Sequence, residues 1–499
     1  MYLIAVFILN ATLYVVYRVY PILNYLGNIM NIENLIFSDT ETTGKDHLDF
    51  NQIIQSSSVL TDTDFIKRDE HNVSCRPLPW NLPSPESYLI HKQDATLDSR
   101  YNHYEMMRSI HKKWNLWTEM SPGIFITYNG HRFDEELYRK QFFWNLLDPF
   151  VTNTNGNGRL DLLYLVRLVS QLKPALIPFE LNKKGNPICS LASVTHAIGI
   201  DSINAHDARF DVELLIALTK FLKEEAGDLF EDFIQQSTKD SFKNFLLETR
   251  VLGYRYQPYG TFWNYPLTCL GFNPSNTNEA ICVDLSYPAD EVINLEYSEI
   301  AHYLSKPYTE SPFKIIKINQ SQSIFDASKF DFDFGMDPSE MNSHAKSYLS
   351  NFEWRNKILF AASDIERRSW PYREHIEQTI YQKFFSQSDK ELFRQFHEEK
   401  DLKKKIILVH QFNDSRAKEF AYRILFQIAP KAIGSDIKEY ILNLTHTRWE
   451  TKGPWPLREE YVEEIQRLKE TLLTHEEKKV FSSIERYFSL DEAQILKIA

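Results

Sequence analysis

The sequence predicts a mixed α/β domain, then a small β-barrel-like module, then an all-α C-terminal domain, and three observations carry that prediction. Strand-like runs alternate with helix-spaced apolar positions from Leu35 to Leu222, the pattern of a sheet covered by helices. Residues 251–320 turn rich in Tyr, Pro, Gly and Asn, with short β-like runs at 280–285 and 313–318. From about Asn342 the apolar spacing is helical to the end of the chain. With 499 residues, 43% apolar and 25% charged, the chain has enough apolar material for several cores, and disorder is excluded as its dominant state.

The elements follow in order. Residues 1–29 hold one charge, Arg18, and an apolar run from Tyr2 to Tyr17. That run is short for a membrane span and lacks a basic leading segment, so it reads as an upstream extension rather than an anchor, with Met30 as the working start. Leu35 to Glu41 and Ile53 to Val59 read as strands, and Pro77, Pro79, Pro83 and Pro85 mark a loop. Gly123 to Asn129 reads as a buried strand. Asp134–Trp144, Asp161–Leu172, Leu191–Ile198 and Asp207–Leu222 read as helices. Domain boundaries are expected at 30–228, 229–350 and 351–499.

Charge limits the partners. The net charge of −12 argues against binding a polyanion by bulk attraction. Residues 351–499 carry 26 Lys and Arg against 25 Asp and Glu, so the acidic excess lies in the first 350 residues. A nucleic acid would need a local groove of converging bases, or metal ions to screen the acids. Cys75, Cys189, Cys269 and Cys282 have no zinc or disulfide spacing, which points to a reducing, cytoplasmic compartment.

Asp39 and Glu41 lie two apart at the end of an apolar strand, so both carboxylates face one side and can grip one cation. Asp134 opens a helix after the turn Tyr128-Asn-Gly-His-Arg-Phe133, a position that also suits a helix N-cap. His206 and Asp211 sit five apart where the long helix begins, His206 in the entering loop and Asp211 in the first turn. Four carboxylates and a histidine at strand ends and helix starts of one α/β domain suit two-metal hydrolysis of a phosphodiester, with the histidine taking a proton from water.

These motifs resemble the DEDDh 3′→5′ exonuclease superfamily, whose pattern is met at Asp39, Glu41, Asp134, His206 and Asp211. The segments 133–139, Asp148-Pro-Phe, 160–167, Phe272-Asn-Pro, Val283-Asp-Leu and Tyr381-x-x-Phe-Phe-Ser extend the resemblance to the bacterial exonuclease I family. It implies an RNase H-like exonuclease domain, an SH3-like β-barrel and a helical domain. The implied activity is 3′→5′ degradation of single-stranded DNA to 5′-mononucleotides in DNA repair and recombination, with two Mg²⁺ ions, or Mn²⁺ in their place. Asp39, Glu41, Asp134 and Asp211 would hold metal and His206 would be the general base. Glu41, Arg139, Phe150 and Arg167 would contact the strand, and Ser190 stands where the family carries a substrate-contacting arginine. A monomer without a membrane attachment is also expected, and the resemblance implies a partner in the acidic C-terminal tail of single-stranded DNA-binding protein. That tail would need Lys314, Lys317 and Lys329 to converge beside the acidic, aromatic stretch 325–337. The alternative activity is that of a DEDDh exoribonuclease or proofreading exonuclease.

Two weaker signals stand apart. Lys403, Lys404, Lys405, Arg416, Lys418 and Arg423 interleave with Phe412, Phe420, Tyr422 and Phe426, as a strand-binding groove or the two faces of a helix would. Trp263 is expected in the barrel core.

Overall fold

The computed structural model describes residues 33–96, 101–200, 207–257, 261–365, 372–470 and 474–496. The apolar leader 1–29 and His206 lie outside the described residues.

The first unit is built on a five-stranded sheet, β1 (Asn34–Thr42), β2 (Ile53–Thr61), β3 (Lys67–Ser74), β4 (Gly123–Thr127) and β5 (Gly158–Asp161), in the order β3-β2-β1-β4-β5. β1 runs antiparallel to β2 and parallel to β4, and β4 is parallel to β5. Side-chain alternation along β1 sends Leu35 and Phe37 to one face and Ile36 to the other. Helices Leu162–Leu172 and Ala208–Glu225 cover the first face through Leu165, Val169, Leu215 and Leu218. Helices His103–Thr118 and Asp134–Trp144 cover the second through Ile110, Trp114, Leu137 and Phe142. Both faces are therefore buried, and β4 (GIFIT) is buried at every position.

A second five-stranded sheet, entirely antiparallel, is formed by β6 (Leu252–Tyr256), β7 (Trp263–Phe272), β8 (Glu279–Asp284), β9 (Phe313–Lys317) and β10 (Ile324–Asp326), in the order β10-β6-β7-β8-β9. Helices Pro338–Ser350 and Phe352–Asp364 pack on it through Tyr348, Trp354 and Ile358. Helices then continue to Ile495. Their core, with Phe396, Phe420 and Phe426, is shared with Trp80, Tyr104, Phe143 and Trp144 of the first unit. The four cysteines are free thiols, and no helix of the described residues is long and apolar enough to cross a membrane.

The structure corrects the proline segment: Pro85 is not loop but the first residue of helix Pro85–His91, capped by Ser84. Proline suits that position because the amide it lacks has no helical partner there. Strand β3 and helix His103–Thr118 carried no expectation. β3 is a charged, half-exposed edge strand without apolar alternation. Trp263 is also corrected: at the start of β7 it is 37% exposed, its ring 6.2 Å from that of Tyr256.

The basic and aromatic stripe at 403–426 resolves into packing rather than an open groove. Lys405 is buried and donates to the Phe396 carbonyl, and Arg416 pairs with Asp414 while lying over the Phe385 ring. Arg423 and Arg448 both donate to the buried Glu377 carboxylate, at 2.6 and 2.5 Å, and Arg448 is sandwiched against Phe50 and Trp455. Burial by itself would raise the Glu377 carboxyl, but the two guanidinium charges outweigh it and bring it down to about 2. Stability from this group is full above the ordinary glutamate range and is lost as pH falls toward 2. Glu377→Gln is expected to lower the unfolding free energy by about 3 kcal/mol at neutral pH, because it strands two buried cations. Urea titrations should show that deficit shrinking below pH 4.

Candidate active site

The parity of β1 sets the site. Asp39 and Glu41 continue the face of Leu35 and Phe37, so they lie on the side that helix Ala208–Glu225 covers. Asp207 caps that helix by accepting the Arg209 amide, and Asp211 projects from its first turn. Ligand oxygens of Asp39, Glu41 and Asp211 all come within 4.8 Å of one another.

Asp134 arrives from the opposite face. It is the first residue of helix Asp134–Trp144, it is buried, and it accepts a short hydrogen bond from the Thr40 hydroxyl, the side chain between Asp39 and Glu41 that points the other way. The structure thus gathers Asp39, Glu41 and Asp211 as one ligand cluster and sets Asp134 behind them. After burial, the Asp134 charge is the strongest influence on Asp39. His206 cannot be placed with them, since it lies outside the described residues.

Burial and mutual repulsion drive these acids toward their neutral forms. Asp39 is raised well above the ordinary carboxylate range by burial, then by Asp134, Glu41 and Asp211. Glu41 is raised to about 9 by burial and by the charges of Asp211 and Asp134. Asp134 rises to about 6 by burial, opposed by the Thr40 hydrogen bond. All of these ligand atoms are carboxylate oxygens, the donors that hard divalent cations such as Mg²⁺ or Mn²⁺ take.

A fifth acid was not singled out as a site residue. Asp161 ends β5, caps helix Leu162–Leu172, and accepts the backbone amides of Asn129 and His131 at 2.7 and 3.2 Å. Burial raises it to about 7 against those donors. An acid directly between an apolar strand and an apolar helix was the available signal.

The expected strand contacts are differently engaged. Arg139 is largely buried, ion-paired with Glu135 and Glu136, and lies 5.8 Å from the Phe150 ring. Phe150 meets Phe384 edge-on, and Tyr381 donates to Glu136 at 2.7 Å, so this patch joins the first unit to the C-terminal helices. Arg167 is half-buried over the Tyr164 ring. Ser190 is exposed and caps helix Leu191–Ala197 by accepting the Ser193 amide. The lysines do not converge: Lys314 is buried against Asp284, and Lys329 pairs with Asp232.

An acidic cluster at the end of the central strand of a helix-covered sheet, in a chain that adds a second sheet and a helical region, defines the class: a mixed α/β fold with a candidate metal site. No protein-family model matches the chain. Exodeoxyribonuclease I of Buchnera aphidicola (subsp. Schizaphis graminum) is 27% identical over 419 residues, 79% of this chain and 83% of that protein. Exodeoxyribonuclease I of Escherichia coli is 27% identical over 377 residues, 71% and 77% of the two chains. Among solved structures, E. coli exonuclease I in complex with a dA16 oligonucleotide superposes with a TM-score of 0.75 at 22% identity, covering 91% of this chain and 99% of that one. A moderately thermophilic exonuclease I from Methylocaldum szegediense gives 0.74 at 21%, covering 91% and 98%. The chain is similar in sequence and in fold to bacterial exonuclease I proteins.

Carboxyls raised in the folded state stabilise it at low pH and lose that contribution as pH rises through their folded values. In EDTA, the melting temperature is therefore expected to fall between pH 6 and 9. Glu41→Gln should flatten that slope; a slope unchanged in the variant would contradict the assignment.

Proposed function

We propose that the protein is a metal-dependent exonuclease that shortens single-stranded DNA from its 3′ end and releases 5′-mononucleotides, as the resemblance to exonuclease I implies. The observation that carries this reading is the convergence of Asp39, Glu41 and Asp211 at the end of β1 with Asp134 behind them. Acids pressed so close favour a bound divalent cation over solvent, and all offer oxygen. When bound, a pair of such ions supplies activation of water and stabilisation of the leaving oxygen.

The chain's own residues do the rest. Asp39, Glu41, Asp134 and Asp211 are assigned to hold the cations, and His206 to take the proton of the attacking water. Glu41 is also assigned to contact the terminal nucleotide. Arg167 and Phe150 are assigned to the strand, one as a charge and one as a stacking surface. Arg139 is assigned an indirect part, since its guanidinium is committed to Glu135 and Glu136 and braces Phe150. Ser190, a helix cap, gives the DNA no charge. The second sheet is read as an SH3-like barrel supported by the helices up to Asp364, and the remaining helices as the domain that closes over the strand. With Lys314 and Lys329 already paired, the region beside 325–337 offers an acidic tail peptide little attraction.

Hydrolysis of a 5′-labelled single-stranded oligonucleotide, beside duplex DNA and RNA, tests the reading. Shortening from the 3′ end is expected with Mg²⁺ and not with EDTA. Asp211→Asn should lower the rate by more than about a hundredfold, beyond what loss of a supporting residue costs. RNA preference, or binding without cleavage, would overturn it. For Arg167→Ala, the dependence of log Kd on log salt should lose about one unit of slope, the signature of one phosphate contact.

A further inference from the structure

The segment between β9 and β10 is pinned against the back of the candidate active site. Arg159 donates to the Asn319 carbonyl at 2.6 Å, the Gln322 amide donates to Gln236 at 2.7 Å, and the Ser323 hydroxyl donates to the Tyr164 carbonyl at 3.0 Å. At its centre Ser321 is fully buried and bonded twice. Its amide donates to Nδ1 of His131 at 3.0 Å, and its Oγ accepts the Asp161 amide at 3.0 Å.

One partner, His131, belongs to the turn that delivers Asp134, and the other, Asp161, holds that turn from the end of β5. Asp161, opposite Thr127 across the β4–β5 pair, receives the amides of Asn129 and His131 and so clamps the chain as it leaves β4. Asn129 there takes a left-handed conformation, φ 58°, and a Cβ at Gly130 would lie 2.5 Å from the Thr127 hydroxyl, so the turn has one tight path. Three residues beyond His131, helix Asp134–Trp144 begins with the Asp134 carboxylate. Burial keeps His131 neutral, lowering it to about 4, and the Ser321 amide fixes its proton on Nε2.

We infer that Ser321 is a positioning residue for the exonuclease site: through Asp161 and His131 it locks the turn 129–133, so that a residue of the β9–β10 connection sets where Asp134 stands. This inference rests on the reading of Asp134 as part of the metal-holding cluster. The second unit is then a structural component of the active site, not only a neighbour along the strand.

The test uses the full chain carrying Ser321→Ala, His131→Asn, His131→Gln or Asp134→Asn. Asn presents its Oδ1 where histidine presents Nδ1, so it keeps an acceptor for the Ser321 amide; Gln moves the acceptor away. Ser321→Ala is expected to lower kcat about tenfold and to weaken Mn²⁺ binding, measured by calorimetry without DNA, by about the same factor, the lower range for a residue supporting a metal ligand. KM for single-stranded DNA should not change, and the amides of 129–133 should exchange hydrogen faster in the metal-free protein. His131→Asn should behave as the parent and His131→Gln as Ser321→Ala. Parental kcat and Mn²⁺ affinity in Ser321→Ala would overturn the inference, as would equal impairment by Asn and Gln at 131. If Asp134→Asn is inactive while Ser321→Ala is not, only this inference fails; an active Asp134→Asn removes the functional reading beneath it as well.

Discussion

Holding several carboxylates together at the half-buried end of a strand is the constraint on which the rest of this structure depends. Asp39, Glu41, Asp134 and Asp211 repel one another, and burial strengthens that repulsion. No local segment could hold them there. It takes a strand packed on both faces, with a helix start aimed at it from each side, to keep the four in place. The apolar strand β1 is thus the rigid element that the site's supports converge on.

The supports are polar and buried. Thr40 holds Asp134, Asp161 holds the turn before it, and Ser321 reaches both Asp161 and His131 from the β9–β10 connection. Buried polar groups are tolerated when their partners are in place, and such networks make one arrangement strongly preferred over its neighbours. The C-terminal helices join in a similar way. Glu377, Arg423 and Arg448 form their ionic centre, while Phe150, Phe384, Tyr381 and Glu136 tie them to the first unit. Three regions that read along the chain as successive domains are interlocked in space.

Much of this was legible residue by residue. Helices at 134–144, 162–172, 191–197 and 208–225 follow from apolar spacing and caps, because both signals are local. The acids at 39, 41, 134 and 211 stood out for the same reason, each falling where a strand or helix changes. Strand β3 was illegible because an edge strand has little apolar alternation, and Pro85 misled because proline both breaks a helix and begins one. The stripe at 403–426 showed bases beside aromatics, but only packing revealed that Lys405, Arg416 and Arg423 are satisfied internally.

The sequence alone marked out the acids as candidates for the chemistry, because strand parity and helix starts fix the side on which an acid emerges. The tertiary structure decided the groups that keep those acids in place. Asp161, His131 and Ser321 lie up to 190 positions apart in the chain, and partnership over such separations depends on how the sheets dock, which no local pattern encodes.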